Sequence, residues 1–294
     1  MQDNARGSLF MVLAMGGFAI EDLLIKLATR GLPAGLVLML FGLGGCLGFA
    51  LLARRAGQTL FSPAMLHPVM GLKALAEVTG RLGYTLALAT TALSSASAIM
   101  QATPLVVVAG AALVFGETVG WRRWSAIGIG FAGVLMILRP GLDGFTTGAL
   151  WAVVSVFGFA ARDLATRAAP KLLSNAQLGL TGFAVLVPTG AVTWALGLGH
   201  GGDGAHLAPM LSALCLAGAI CVGIGAYSAL TTAMRVGEVS VVTPFRYTRL
   251  IFAMILGAGL LAERPDAMTL AGSALILATG IYTLLRTRRV ARGA

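Results

Sequence analysis

Nine charged side chains fall inside long apolar runs of this chain: Glu21, Asp22, Lys73, Glu77, Arg81, Arg162, Asp163, Arg246 and Arg249. A charge at the centre of a hydrocarbon layer costs about 2.5–3.5 kcal/mol on an insertion scale. Nine such charges facing lipid would cost roughly 20–30 kcal/mol on that scale, more than the net stability of about 5–15 kcal/mol of a whole domain. They must therefore face an interior or a wet cavity, and pair there. Lys73, Glu77 and Arg81 are spaced by four, with Tyr84 three further on, so all four lie on one helical stripe. Arg246 and Arg249 are three apart, on either side of Tyr247 and just after Pro244.

Two kinds of chemistry follow. The first is ion pairing across the membrane interior. Counting along the apolar runs puts Asp22 and Arg81 toward the external side, and Asp163 and Arg246 toward the cytoplasm. We expect Glu21 or Asp22 to pair with Arg81 and Asp163 with Arg246, as gates or as fixed bridges, with Lys73 and Arg162 in the same ion-pair set. The second is capture of a small polar ligand. Glu77 suits an ammonium, and Arg246 or Arg249 suits a carboxylate, which a guanidinium grips with two parallel bonds. Arg81, Tyr84, Gln101 and Tyr227 complete the expected binding set. A prolyl residue frees the carbonyl four residues earlier, so Pro104 and Pro244 are expected to expose the Met100 and Ser240 carbonyls.

The elements that must position these groups are membrane helices. Charged residues make up 11% of the 294 and apolar ones 57%, with a mean hydropathy of +0.89; soluble domains carry about 25% charged residues. About 20 apolar residues cross a bilayer. Ten stretches qualify, at 7–27, 33–53, 67–89, 94–115, 122–139, 146–166, 176–198, 210–232, 239–261 and 268–286. With the N-terminus inside, twelve basic residues fall on cytoplasmic segments and four on the opposite face. That bias predicts both termini in the cytoplasm. It also accounts for the net charge of +10 without a nucleic-acid partner.

The chain repeats itself. Gly7, Leu9, Val12, Gly17, Phe18, Ala19, Asp22 and Leu23 each meet an identical residue 141 positions later. Later matches have slightly larger offsets: Tyr84 with Tyr227, Ser94 with Ser240, Glu117 with Glu263, Gly133 with Gly280. Residues 1–141 and 142–294 each hold five stretches. Five is odd, so the second copy must enter from the opposite side. The expected fold class is all-α integral membrane: ten transmembrane helices as two inverted five-helix repeats.

The run "SSASAIMQATPLVVVAGAALVFGETVGWRRWSAIGIGFAGVLMILRPG" combines small residues, a proline, an apolar stretch, Gly-Glu at a helix end and a glycine-spaced last helix. It resembles the end of an EamA domain, the repeat unit of the drug/metabolite transporter superfamily. "GEVSVVTPFRYTRLIFAMILGAGLLAERPDAMTLAGSALILATGIYTLLR" resembles the same unit, with Ala262-Glu263 in place of Gly-Glu. The resemblance covers nearly the whole chain as two EamA units. It implies a ten-helix carrier of small metabolites in a bacterial-type inner membrane, and points to the YddG-type amino-acid exporters as the branch.

Other functions fit less well. Cys46, Cys215 and Cys221 lie in apolar runs without metal spacing, and no metal or cofactor is expected. His67 sits at a loop edge, and His200 and His206 lie in or beside the loop "GHGGDGAH", so a lipid-active enzyme with a core histidine is disfavoured. No nucleotide-binding glycine loop occurs, which leaves ATP-driven transport unsupported. The readings kept are a secondary carrier exporting or exchanging amino acids and related metabolites by alternating access, acting as a monomer in the lipid bilayer, and a carrier of another metabolite or anion such as a nucleotide sugar.

Overall fold

The computed structural model describes residues 2–116, 120–139, 146–169, 172–198, 207–236 and 243–292. Glu117, His200, His206 and Ser240, singled out above, lie outside the described residues. Among those described, the regular structure is helical. The helices are α1 (Gln2–Ala28), α2 (Ala34–Arg55), α3 (Pro68–Thr90), α4 (Leu93–Met100), α5 (Thr103–Phe115), α6 (Trp121–Leu138), α7 (Thr147–Ala168), α8 (Asn175–Ala184), α9 (Leu186–Ala195), α10 (Pro209–Val236), α11 (Thr248–Leu260) and α12 (Ala267–Arg292). One-turn 3-10 segments at Pro63–Leu66 and Thr243–Tyr247 lead into α3 and α11.

Among the described residues, six segments are long and apolar enough to cross a membrane: Asp3–Ala28, Ala34–Arg55, Leu93–Val114, Gly148–Thr166, Asn175–Ala195 and Pro209–Leu230. Trp124–Leu138 and Ala267–Tyr282 are shorter apolar helices. α3 has 23 residues, but Lys73, Glu77 and Arg81 break its apolar run. Those three face inward with Tyr84, all buried, while Leu72 and Leu75 on the other side are 57% and 64% exposed. Polar inside and apolar outside is how a helix sits between a wet interior and lipid.

Two of the expected stretches are interrupted. The one at 94–115 breaks at Gln101–Ala102, between α4 and α5, and the one at 176–198 breaks at Val185, between α8 and α9. Pro104 and Pro188 follow these breaks by two or three residues. Each prolyl lacks an N–H and crowds the preceding turn, which accounts for the break. The carbonyl that Pro104 releases is not free, as the sequence led us to expect: the Thr103 hydroxyl donates to the Met100 carbonyl at 2.7 Å.

α1 packs along α10, α3 along α7, α2 along α8 and α9, and α6 along α12, while α4 touches α7 and α11. Small residues permit these approaches. A Cβ built on Gly158 of α7 would lie 2.3 Å from the Gly80 amide nitrogen of α3. One built on Gly272 of α12 would lie 2.6 Å from the Gly133 carbonyl oxygen of α6. Gly44 and Gly48 turn toward Ile220 and Ile224 of α10, so this small-xxx-small pair seats a neighbouring helix.

Candidate functional site

α1 brings Glu21 and Asp22 to the centre of the bundle, 1% and 0% exposed. Arg81 of α3 donates through Nη1 to Glu21 Oε1 at 2.6 Å. Arg249 of α11 grips Asp22: Nε donates to Oδ2 at 3.0 Å, and Nη2 lies 2.7 Å from both oxygens. Tyr84 adds its hydroxyl to Asp22 Oδ2 at 3.0 Å and lies 3.4 Å from Ser97 Oγ. Arg249 also lies over the Phe18 and Tyr84 rings, at 5.3 and 5.4 Å from their centroids, close enough for cation–π attraction.

α7 brings a second group. Arg162 turns onto its neighbour Asp163, with Nε at 3.0 Å and Nη2 at 2.8 Å from Oδ1. Its Nη1 lies 3.5 Å from Glu77 Oε1, and Lys73 Nζ lies 3.6 Å from Glu77 Oε2. Lys73 also donates to the Leu178 carbonyl at 3.5 Å. Arg246 Nη2 reaches Asp163 Oδ2 at 3.7 Å. The contacts to Glu77 and Arg246 are longer than the 2.7–2.9 Å of a strong charge-assisted bond, whereas the shortest to Glu21 and Asp22, 2.6 and 2.7 Å, are not.

Both groups border one cavity of about 100 Å³. Glu77, Arg81, Gln101, Arg162, Tyr227, Arg246 and Arg249 line it, together with Met15, Phe18, Met100, Phe159 and Phe183. The remaining candidates, Glu21, Asp22, Lys73, Tyr84 and Asp163, stand behind that wall and hold its cations or acid. Gln101, at the α4–α5 break, donates to the Arg246 carbonyl at 3.4 Å. Tyr227 meets Phe49 edge to face at 5.1 Å.

The sequence did not point to the aromatic walls. Phe159 lies under Arg162 at 4.6 Å and Arg81 at 5.8 Å, and so bridges the two charged groups. Arg81 is also over Phe41 and Phe183, at 5.0 and 6.0 Å. The one available signal was the match of Phe18 to Phe159 in the repeat.

A second cavity of about 560 Å³ lies at the end of the bundle where α1 turns into α2. There Glu263, from the α11–α12 connection, caps the start of α4. It accepts from the Leu93 amide at 2.7 Å, the Ser94 amide at 3.0 Å and the Ser94 hydroxyl at 2.8 Å. Lys26 donates to the Leu88 carbonyl at 3.1 Å and to the Thr91 carbonyl, closing the end of α3. Arg139 pairs with Asp266, which also accepts from the Thr269 amide at 2.9 Å. These donors hold the Asp266 carboxyl well below the usual carboxylate range.

Several known proteins resemble this chain. A riboflavin transporter of Rhizobium johnstonii is 28% identical over 66% of the chain, which spans 62% of that relative's length. An S-adenosylmethionine uptake transporter of Rickettsia bellii is 22% identical over 74% of the chain and 72% of its own. A pseudopaline exporter of Pseudomonas aeruginosa is 27% identical over 96% and 97%. A crystal structure superposes over 97% of this chain and 99% of its own, with a TM-score of 0.64 and 18% identity, a likeness of fold. The sequence profile of the EamA-like transporter family matches residues 5–139 and again 146–285. With both stretches matched, this multi-pass membrane protein belongs to the EamA-like transporter family.

Proposed function

We propose that the chain is a secondary carrier of amino acids and related carboxylate-bearing metabolites, working by alternating access through the central cavity. The observation that carries this reading is the make-up of the cavity wall: four arginines, Arg81, Arg162, Arg246 and Arg249, against one carboxylate, Glu77. Such a wall favours an anionic group on the ligand. Arg246 is the arginine most open to it, because its one charged partner among the described residues is 3.7 Å away. Glu77, held at 3.5 and 3.6 Å, can turn to an ammonium. A zwitterion satisfies both, and the Met and Phe walls suit an apolar side chain.

The architecture behind the reading is ten crossings in two inverted halves, 1–141 and 142–294, with both termini in the cytoplasm of a bacterial inner membrane. The helix pairing supports it. α1 packs on α10 and α7 on α3, and the repeat matches α1 to α7 and α3 to α10, so each contact has its image. In this scheme the Glu263 cap closes the external end.

Vesicles reconstituted with the protein test the proposal. Labelled amino acids should enter saturably and compete with one another. Riboflavin, S-adenosylmethionine and phosphorylated compounds belong in the same panel. The excess of arginine in the wall also favours a second reading, a carrier of larger anions such as nucleotide sugars. Competition confined to phosphorylated compounds would select it.

A further inference from the structure

Among the described residues, two charged atoms at the centre of the bundle have no hydrogen-bond partner: Glu21 Oε2 and Arg81 Nε. They belong to one ion pair, whose bond runs from Arg81 Nη1 to Glu21 Oε1. Glu21 Oε2 instead lies against the Gly223 backbone of α10, beside the Phe41 ring of α2. The charged groups that face Glu21 are Arg81 from α3, Asp22 on its own helix and Arg249 from α11. Arg249 is committed to Asp22 through both of its oxygens. Tyr84 of α3 is likewise turned to Asp22.

Glu21 thus differs from the other three acids around the cavity. Asp22 accepts from Arg249 and Tyr84, Asp163 lies between Arg162 and Arg246, and Glu77 lies between Lys73 and Arg162. Glu21 depends on one cation, and that cation lines the cavity. A guanidinium drawn toward a ligand carboxylate leaves Glu21 without its donor.

We propose that Glu21 is a proton-binding site linked to substrate, so that the carrier moves a proton together with a carboxylate-bearing molecule. The substrate carboxylate takes Arg81. Cavity water delivers a proton to Glu21 Oε2, forming an O–H bond and leaving the charge of the centre unchanged. Linkage is reciprocal: if substrate favours the proton, the proton favours substrate to the same degree. This rests on the substrate reading above, but the proton site can be examined without any substrate.

Infrared spectra of the full chain in lipid nanodiscs read the carboxyl directly. Arg81→Gln should show the carbonyl band of a protonated carboxylic acid at neutral pH. Wild type and the Arg81→Gln/Glu21→Gln double variant should lack it. An Arg81→Gln protein without the band overturns the proposal. Should that variant fail to fold, acid titration of wild type against Glu21→Gln reads the same group. A carboxylic-acid band that appears on acidification of wild type should be missing from Glu21→Gln, and an identical band in both overturns the proposal. In vesicles, an acid-outside gradient should accumulate labelled leucine above equilibrium with wild type, whereas uptake by Glu21→Gln, at whatever rate, stops at equilibrium. Equal accumulation by both overturns the coupling. If no amino acid enters at all, the substrate reading fails and the infrared result still decides the proton site.

Discussion

Asp22 and Asp163, 141 positions apart, are each held by an arginine that lies over the phenylalanine four residues earlier: Arg249 over Phe18, and Arg162 over Phe159. The acids and rings repeat, but the arginines do not. Arg249 comes from a distant helix, whereas Arg162 is the neighbour of its own acid. The first arrangement therefore ties the two halves together and the second does not. Arg246, one turn before Arg249, adds only a 3.7 Å contact to Asp163.

That difference sets the cost of losing each arginine. Arg249→Gln strands Asp22, which is fully buried, without its cation. Breaking a buried pair in this way costs about 3–5 kcal/mol. Arg246→Gln leaves Asp163 still bonded to Arg162, and the lost pair is partly exposed, so about 1 kcal/mol or less is expected. Denaturant unfolding in lipid nanodiscs measures both. Equal losses would contradict the assignment of Arg249 as the brace between halves.

Gly158→Ala tests how closely α3 and α7 must approach for Glu77 to face Arg162. The added methyl would meet the Gly80 amide nitrogen at 2.3 Å. Backbone cannot move aside as a side-chain tip can, so the helices must separate. Overpacking of this kind costs about 1–3 kcal/mol. Substrate flux should fall with stability, because the Arg162–Glu77 contact, already 3.5 Å, lengthens. Gly128→Ala of α6 is the control: beyond its own turn of helix, no atom lies within 4 Å of its added Cβ.

How far the sequence reached depends on the type of signal. Burying charge in apolar runs is costly enough that the nine residues could be named without coordinates. The repeat and the EamA-like motifs carried the family. Choosing partners was harder. Glu21 and Asp22 are adjacent on a helix, about 100° apart, and spacing alone does not say which of them meets Arg81. The structure gives Arg81 to Glu21 and Asp22 to Arg249. Phe159 was invisible as a bridge because a phenylalanine in an apolar helix reads as packing. Glu263 was visible as a repeat match but not as a cap, because its partners are backbone amides about 170 residues earlier.

Removing that cap should loosen one place and leave the rest. Glu263→Ala strips the Leu93 and Ser94 amides of their acceptor, at about 2 kcal/mol. Hydrogen exchange at these two amides should speed up roughly thirtyfold, while exchange in the middle of α1 and α10 changes little. Unchanged protection at Leu93 and Ser94 would show that the cap is dispensable.

Asp266, beside the same cavity, gives a pH dependence. Its carboxyl is held low by Arg139 and by the Thr269 amide. A depressed folded value means that its stabilisation is full above the unfolded value of about 3.9 and fades as pH falls below it. The side chain is 52% exposed, so the effect is under about 1 kcal/mol. Wild type should exceed Asp266→Asn by a constant margin from neutral pH down to about 4, and the margin should close in more acidic solution. A margin that closes near neutrality would point to another group.

The repeat also predicts a stabilising change. α5 ends at Gly116, whose φ is 66°, a left-handed conformation that glycine adopts without strain. The matching position after α11 is Ala262, whose φ is 53°. Its Cβ carries a left-handed penalty of roughly 1–2 kcal/mol. The turn is needed, because it lets the Glu263 amide close onto the Gly257 carbonyl at 2.9 Å and aims Glu263 at α4. Ala262→Gly removes the penalty but gives the unfolded chain more freedom, which costs about 0.4–1 kcal/mol. The relief is the larger quantity, so a net gain of about 0.5–1 kcal/mol is expected. Thermal unfolding in nanodiscs should show a raised midpoint, with the Leu93 and Ser94 amides as protected as before. A lowered midpoint would mean that the alanine methyl contributes packing that outweighs its backbone strain.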